Sequence, residues 1–184
     1  MGYNAVVVSG LPGAGKSTLL KKLSEKTGWR IHSIGDLFRE KLKYLQETGQ
    51  VGKELTIKEW WLTVSDKEQI RVNVDLLKLV NEGKIIADTR YAFYLKRATS
   101  NPLFVFLTTD AALRAHRESM NNPDYNGKTI KQVKEILMKR ENDEINFGLR
   151  LFGKDYRNPE DYDLILDSGK MSAELEASRI MDYL

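Results

Sequence analysis

Ala5-Val6-Val7-Val8-Ser9-Gly10-Leu11-Pro12-Gly13-Ala14-Gly15-Lys16-Ser17-Thr18 is the stretch that decides the fold. Its opening β-branched apolar run, Ala5–Val8, reads as a strand buried on both faces. A glycine-rich turn follows, and from Ser17 to Lys26 the spacing reads as a helix. Gly10 to Ser17 fits G-x-x-x-x-G-K-[ST] at every fixed position, in the strand–loop–helix setting that gives this motif its meaning. Glycines let the backbone curl so that its N–H groups turn inward on phosphate. The new helix N-terminus adds partial positive charge beneath the anion. Lys16 can reach the β- and γ-phosphates, and the Ser17 hydroxyl suits Mg²⁺. Gly10, Leu11, Pro12, Gly13, Ala14, Gly15, Lys16, Ser17 and Thr18 are therefore the candidate ATP-binding residues, with Lys16 also a candidate catalytic group.

Further short apolar runs recur at Ile31–Ile34, Ile85–Ala87, Leu103–Leu107 and Leu164–Leu166, separated by longer stretches with helical features. Thr56-Ile-Lys-Glu59 is a capping-box pattern leading into Trp60-Trp61. Ile70, Val74 and Leu77 share a helical face, and Ser172-Ala-Glu-Leu starts the last helix. Strands alternating with helices predict an α/β fold: a five-stranded parallel sheet covered by helices on both faces, in one domain spanning 1–184. Two stretches exceed a simple crossover. Residues 35–83 would form a helical acceptor-binding insert. Residues 119–150, with the polar loop Asn121–Gly127 and a long charged helix, would form a lid.

The 184 residues suit one compact core, and 41% hydrophobic with 30% charged residues is ordinary for a globular protein. No apolar run approaches the roughly 20 residues that span a bilayer. Met1-Gly2-Tyr3-Asn4 lacks a basic leader, and Val6 spoils the weak acylation start at Gly2. The absence of cysteine excludes disulfides and thiolate metal sites. A cytoplasmic protein is expected. A net charge of +3 with interspersed signs argues against a nucleic-acid surface.

Ile85-Ile86-Ala87-Asp88 ends a buried strand with a carboxylate placed to hold the metal, directly or through water. Ser17 and Asp88 are the candidate metal ligands. No Asn-Lys-x-Asp stretch follows, which speaks against a guanine-specific switch protein.

At Ser33-Ile34-Gly35-Asp36-Leu37-Phe38-Arg39 the chain resembles the nucleoside monophosphate kinases, whose arginine after the second strand grips the acceptor's phosphate. The resemblance implies acceptor binding by Ser33, Gly35, Asp36 and Arg39, and a guanidinium fork matches a phosphate chemically. Asp88-Thr89-Arg90 occupies the place of the family's acid-Gly-Arg turn, which makes Arg90 a second acceptor ligand. Leu113-Arg114-Ala115-His116-Arg117 looks like the helix entering the lid, with Arg117 facing the triphosphate, and Arg140-Glu141 like the returning helix. Phe152-Gly153-x-Asp155 and Tyr162–Ser168 are similar to segments of the short archaeal-type cytidylate kinases. Against that pattern, an arginine is missing near Phe147 and another near Asn121; Arg150 lies one turn beyond Phe147. Asp167 stands for the usual Asn, and Arg71-Val-Asn73-Val-Asp75 matches the base-reading helix only in part.

The expected activity is transfer of the γ-phosphate of Mg·ATP to a nucleoside monophosphate, with CMP or dCMP favoured. The acceptor phosphate is already anionic, so no base is needed. Lys16, Arg117, Arg140 and Asp88, with Mg²⁺, would supply position and charge. Two alternatives stay open. One is a P-loop kinase of another metabolite or a nucleic-acid end, using Asp36 or Asp88 as base. The other is a nucleotide-gated binding module without chemistry. A monomer or weak dimer is expected. Ile130, Val133 and Leu137 form an apolar stripe that resumes at Ile145, Leu149 and Phe152. The interruption at Arg140-Glu141 singles out Arg140, opposite Arg117, as the lid's transition-state arginine, with Arg150 in reserve. One of Trp60 and Trp61 is expected in a core and the other part-exposed. His32 reads as buried and His116 as surface. Lys41, Lys43, Lys53 and Lys58 read as a solvated face.

Overall fold

A computed structural model describes residues 2–184, with the side chains of all of them except Lys58 and Leu62. The Met1 start and the Lys58 member of the lysine face therefore lie outside the described residues.

Five parallel strands form one sheet in the order β2-β3-β1-β4-β5: β1 (Ala5–Gly10), β2 (Arg30–Ser33), β3 (Ile85–Asp88), β4 (Pro102–Thr108) and β5 (Leu164–Asp167). Every residue of β1 is buried. Because successive side chains point to opposite faces, both faces of the sheet are covered there, as the apolar run requires. Register runs from Val6 to Ile86 on one side and to Leu103 on the other. The two edges differ from expectation. Ile31 and Ile165 are exposed and His32 is only half-buried, since β2 and β5 each have a single neighbour. Ile34 belongs to a helix: Ser33 caps it, its hydroxyl oxygen accepting from Asp36 N at 2.9 Å.

Among the described residues seven α-helices accompany the strands, the last following β5: α1 (Lys16–Thr27), α2 (Ile34–Glu47), α3 (Ile57–Thr63), α4 (Asp66–Glu82), α5 (Ala111–Asn121), α6 (Ile130–Phe152) and α7 (Ala173–Met181). α2, α3 and α4 make up the long stretch between β2 and β3, and they enclose a small core of Phe38, Leu42, Trp60 and Val72. The Thr56–Glu59 capping box is formed. Trp60 is buried, whereas Trp61 is exposed at the rim with its ring 4.4 Å from that of Phe38. In α4 the buried line is Gln69, Val72, Asn73, Leu76 and Val80; Ile70, Val74 and Leu77 flank it. α5 and α6 pack around Ala115, Val133 and Leu137. Ile130 and Leu149 are exposed. The buried face of α6 instead runs from Leu137 through the part-buried Glu141 and Glu144 to Ile145 and Gly148. Among the described residues no helix is long and apolar enough to cross a membrane.

Candidate active site

The C-terminal ends of three neighbouring strands come level: Ser33 of β2 pairs with Asp88 of β3, and Asp88 with Val8 of β1. The loop after β1, the turn after β3 and the start of α2 therefore open at one sheet edge, where ligands of open α/β sheets bind. Within the loop, Gly13 and Gly15 have φ of 75° and 91°, a left-handed geometry that a side chain would strain. Gly15 delivers the chain into α1 without a side-chain cap, so the first N–H groups of that helix remain available to an anion.

A cleft of about 850 Å³ lies over this helix end. Pro12 to Thr18 form its floor; Arg90, Arg117 and Arg140 face it from three separate elements. Lys16 is held down at about 7, first by burial and then by Arg90, while Asp88 and Glu144 pull it up. Arg117 donates from Nη1 to Ser168 Oγ at 2.8 Å and from Nη2 to the Ser168 carbonyl at 2.7 Å. Arg90 donates to the Gly10 carbonyl and pairs through Nε with Glu144 Oε2 at 2.8 Å. Arg140 Nε meets the other oxygen of the same carboxylate at 3.0 Å, its side chain 54% exposed. Glu144 thus ties two cleft arginines together.

Other residues expected at the site lie elsewhere. Gly10, Leu11 and Asp88 sit behind the cleft floor, outside its lining. Half-buried Ser33 and exposed Gly35, Asp36 and Arg39 form a group at the start of α2. There Arg39 Nη2 pairs with Asp36 Oδ1 at 2.5 Å, and Ser33 donates to Asp36 Oδ2 at 2.6 Å. The Ser33 hydroxyl first, and Arg39 next, hold the Asp36 carboxyl below its usual range. Arg90 faces the phosphate loop and α6, so the two expected acceptor arginines emerge from adjacent strand ends but point to different partners. The apolar stripe of α6 is interrupted by Glu141 and Glu144, and Arg140 lies to its side. Arg150 is on neither: it pairs with Asp66 Oδ2 at 2.5 Å and stands 5.2 Å over the Phe147 ring. His116 is exposed.

Sequence reasoning singled out the break at Arg140-Glu141 but missed Glu144, Glu176 and the partners of the acids. Buried Arg114 donates to the Pro12 carbonyl at 3.2 Å and pairs with Glu141 at 2.9 Å, bracing the loop from α5. Glu141 also takes Arg157 at 3.1 Å. The available signal was the spacing of Glu141 and Glu144, one turn beyond Leu137 on the line that should have stayed apolar. Glu176, also in the cleft lining, carried no signal beyond its place in an amphipathic helix.

The model of the cytidylate kinase-like family matches residues 5–170 of this chain. The chain belongs to that family. The cytidylate kinase of Ignicoccus hospitalis is 29% identical over 181 residues, covering 97% of this chain and 98% of that protein. That of Methanothermobacter thermautotrophicus is 27% identical over 172 residues, covering 92% and 98%. In structure, the shikimate kinase from Bacteroides thetaiotaomicron matches with a TM-score of 0.61 at 15% identity, over 97% of this chain and 96% of that one. The fold is that of the P-loop kinases. Membership in the cytidylate kinase-like family makes this chain an ATP-dependent phosphotransferase of the nucleoside monophosphate kinase class.

Proposed function

We propose that the protein phosphorylates CMP or dCMP with Mg·ATP, as one domain over 1–184 with an acceptor insert at about 35–83 and a lid at about 119–150. The convergence of Lys16, Arg90, Arg117 and Arg140 on one helix N-terminus carries the reading. Glu144 neutralises part of this charge, yet Lys16 and three arginines around an uncapped helix N-terminus still suit a polyanion. The loop N–H groups and Lys16 would hold the β- and γ-phosphates, and Arg117 would lie beside the triphosphate. Arg39, and Arg90 on exchanging Glu144 for ligand, would take the acceptor phosphate.

Among the described residues no cluster of three or more His, Cys, Asp or Glu could cage a metal. A hydroxyl and one carboxylate, Ser17 and Asp88, nonetheless suit a hard ion that keeps waters and phosphate oxygens as its remaining ligands. Mg²⁺ held by them would neutralise charge on the phosphates. An oxygen of the acceptor phosphate attacks the γ-phosphorus in line as the bond to the β-γ bridging oxygen breaks, releasing ADP. Arg140 neutralises the transferring group. No proton has to be removed; Asp36, already engaged by Ser33 and Arg39 and with a lowered pKa, is a poor base. Closure of the lid excludes water and prevents idle hydrolysis. The enzyme would work in the cytoplasm as a monomer or weak dimer.

ADP release with ATP and each of CMP, dCMP, UMP, AMP and GMP tests this. Turnover with CMP or dCMP, lost in Lys16→Ala, is expected. ADP release that ignores every acceptor would refute it.

A further inference from the structure

The floor of the cleft accounts for phosphates; its far wall is a different surface. Ser168, Met171, Ser172, Ala173 and Glu176, from the turn after β5 and the start of α7, line that wall. A triphosphate with its phosphates over the N-terminus of α1 leaves its nucleoside to face them.

Glu176 is 2% exposed, and its Oε1 is buried with no hydrogen-bond partner among the described residues. Glu176 stands in the first turn of α7, where the helix N-terminus favours an acid, but that leaves its buried oxygen without a donor. Ser172 caps the helix, its hydroxyl oxygen accepting from Leu175 N at 3.3 Å. Ala177 and Ile180, both fully buried, anchor it on the core. Arg117 is committed through both Nη atoms to Ser168. A buried acceptor without a donor is costly, and native proteins rarely keep one without use. Glu176 lines the cleft beside Met171 and Ala173, and a turn of its side chain would bring the unpartnered oxygen to the cleft surface, where it suits an N–H at the edge of a flat ring.

We propose that Glu176 is a specificity-determining residue for the phosphoryl donor, its Oε1 accepting a hydrogen bond from the exocyclic amine of a 6-aminopurine base. This rests on the cleft being the donor site, as read above. A 6-oxo purine would bring a second acceptor against the carboxylate with no proton between them, so the same group rejects it.

The test is the Kd of ATP, of the analogue with hydrogen at C6 (purine riboside triphosphate) and of inosine triphosphate, for wild type, Glu176→Leu and Glu176→Gln. A hydrogen bond to a charged group predicts that wild type binds ATP at least about 10-fold tighter than either analogue. Glu176→Leu brings ATP to within about threefold of the C6-hydrogen analogue while binding that analogue as wild type does. Glu176→Gln keeps an acceptor and gains a donor, so it retains the preference over the C6-hydrogen analogue and narrows the gap to inosine triphosphate. Thermal unfolding reports whether Glu176→Leu is folded; if it is not, an unchanged ATP-to-inosine ratio in Glu176→Gln overturns the proposal. Equal wild-type affinity for ATP and the C6-hydrogen analogue, or a preference for the 6-oxo base, overturns it alone. Failure of wild type to bind any of the three overturns it together with the donor-site reading.

Discussion

Glu144 and Asp66 each hold an arginine from another part of the chain, in very different surroundings. The Arg90–Glu144 side chains are 15% and 18% exposed, whereas those of Arg150–Asp66 are 55% and 52% exposed. Glu144→Ala removes the carboxylate of a part-buried pair and leaves Arg90 with the Gly10 carbonyl, so it should cost about 1–3 kcal/mol. Solvent screens the second pair, so Asp66→Ala should leave stability almost unchanged despite its shorter contact. Urea unfolding of the two variants checks the contrast. Glu176 calls for a pH measurement. Burial raises its pKa above the ordinary glutamate value, with Arg117 opposing and Asp167 adding to the rise. The folded state then binds the proton more tightly than the unfolded one. Stability from this group is full below about pH 4.5 and is lost as pH rises through the raised value. Glu176→Gln should therefore be more stable than wild type at pH 7, with the gap closing toward pH 4.5. A gap that stays constant with pH would show that the carboxyl's charge is not its source.

α6 combines a packing seam with a charged face, and its variants should separate the two. Gly148 lies on the seam, where an added Cβ would sit 2.9 Å from the Lys154 carbonyl oxygen and 3.0 Å from the Tyr91 ring. Alanine normally gains about 0.5–1 kcal/mol over glycine in a helix, but overpacking against backbone and a part-buried ring costs about 1–3 kcal/mol. Gly148→Ala should therefore be destabilised in thermal unfolding. Arg140 faces the cleft, and its loss should lower kcat by at least about 100-fold with little change in KM at saturating acceptor. A kcat within about threefold of wild type would remove it from the catalytic set. This helix also marks the limit of what the sequence conveys. Its helical period is plain from Val133 and Leu137, and the break in the stripe falls where Arg140-Glu141 stand. Which neighbour turns inward depends on Arg114, Arg157 and Arg90, all distant in the chain, and those partners select the acids. Periodicity assigned Ile130 and Leu149 to the seam as well, yet α5 covers only part of the length of α6.

At the scale of the whole molecule, the sheet was legible wherever strands have two neighbours and least so at its edges. β1 and β4 are unbroken buried runs, while β2 and β5 keep exposed residues that a composition-based reading places inside. The contiguous half of the site, Pro12 to Thr18, announces itself because one local turn makes it. The half assembled from Arg90, Glu144, Ser168 and Glu176 depends on strand order, which no local pattern encodes. That order also governs how the chain acquires its structure. β1 is central, yet both its partners come much later: Val6 meets Ile86 and Leu103. Contacts this distant in sequence require large loops to close before any pairing repays their entropy. Refolding from urea should therefore be slow, on a scale of milliseconds to seconds, with no fast phase attributable to the sheet. During synthesis, the apolar Ala5–Val8 segment must wait for more than half of the chain to emerge before it can pair on both sides. Through that interval it is a natural target for chaperones and a hazard for aggregation.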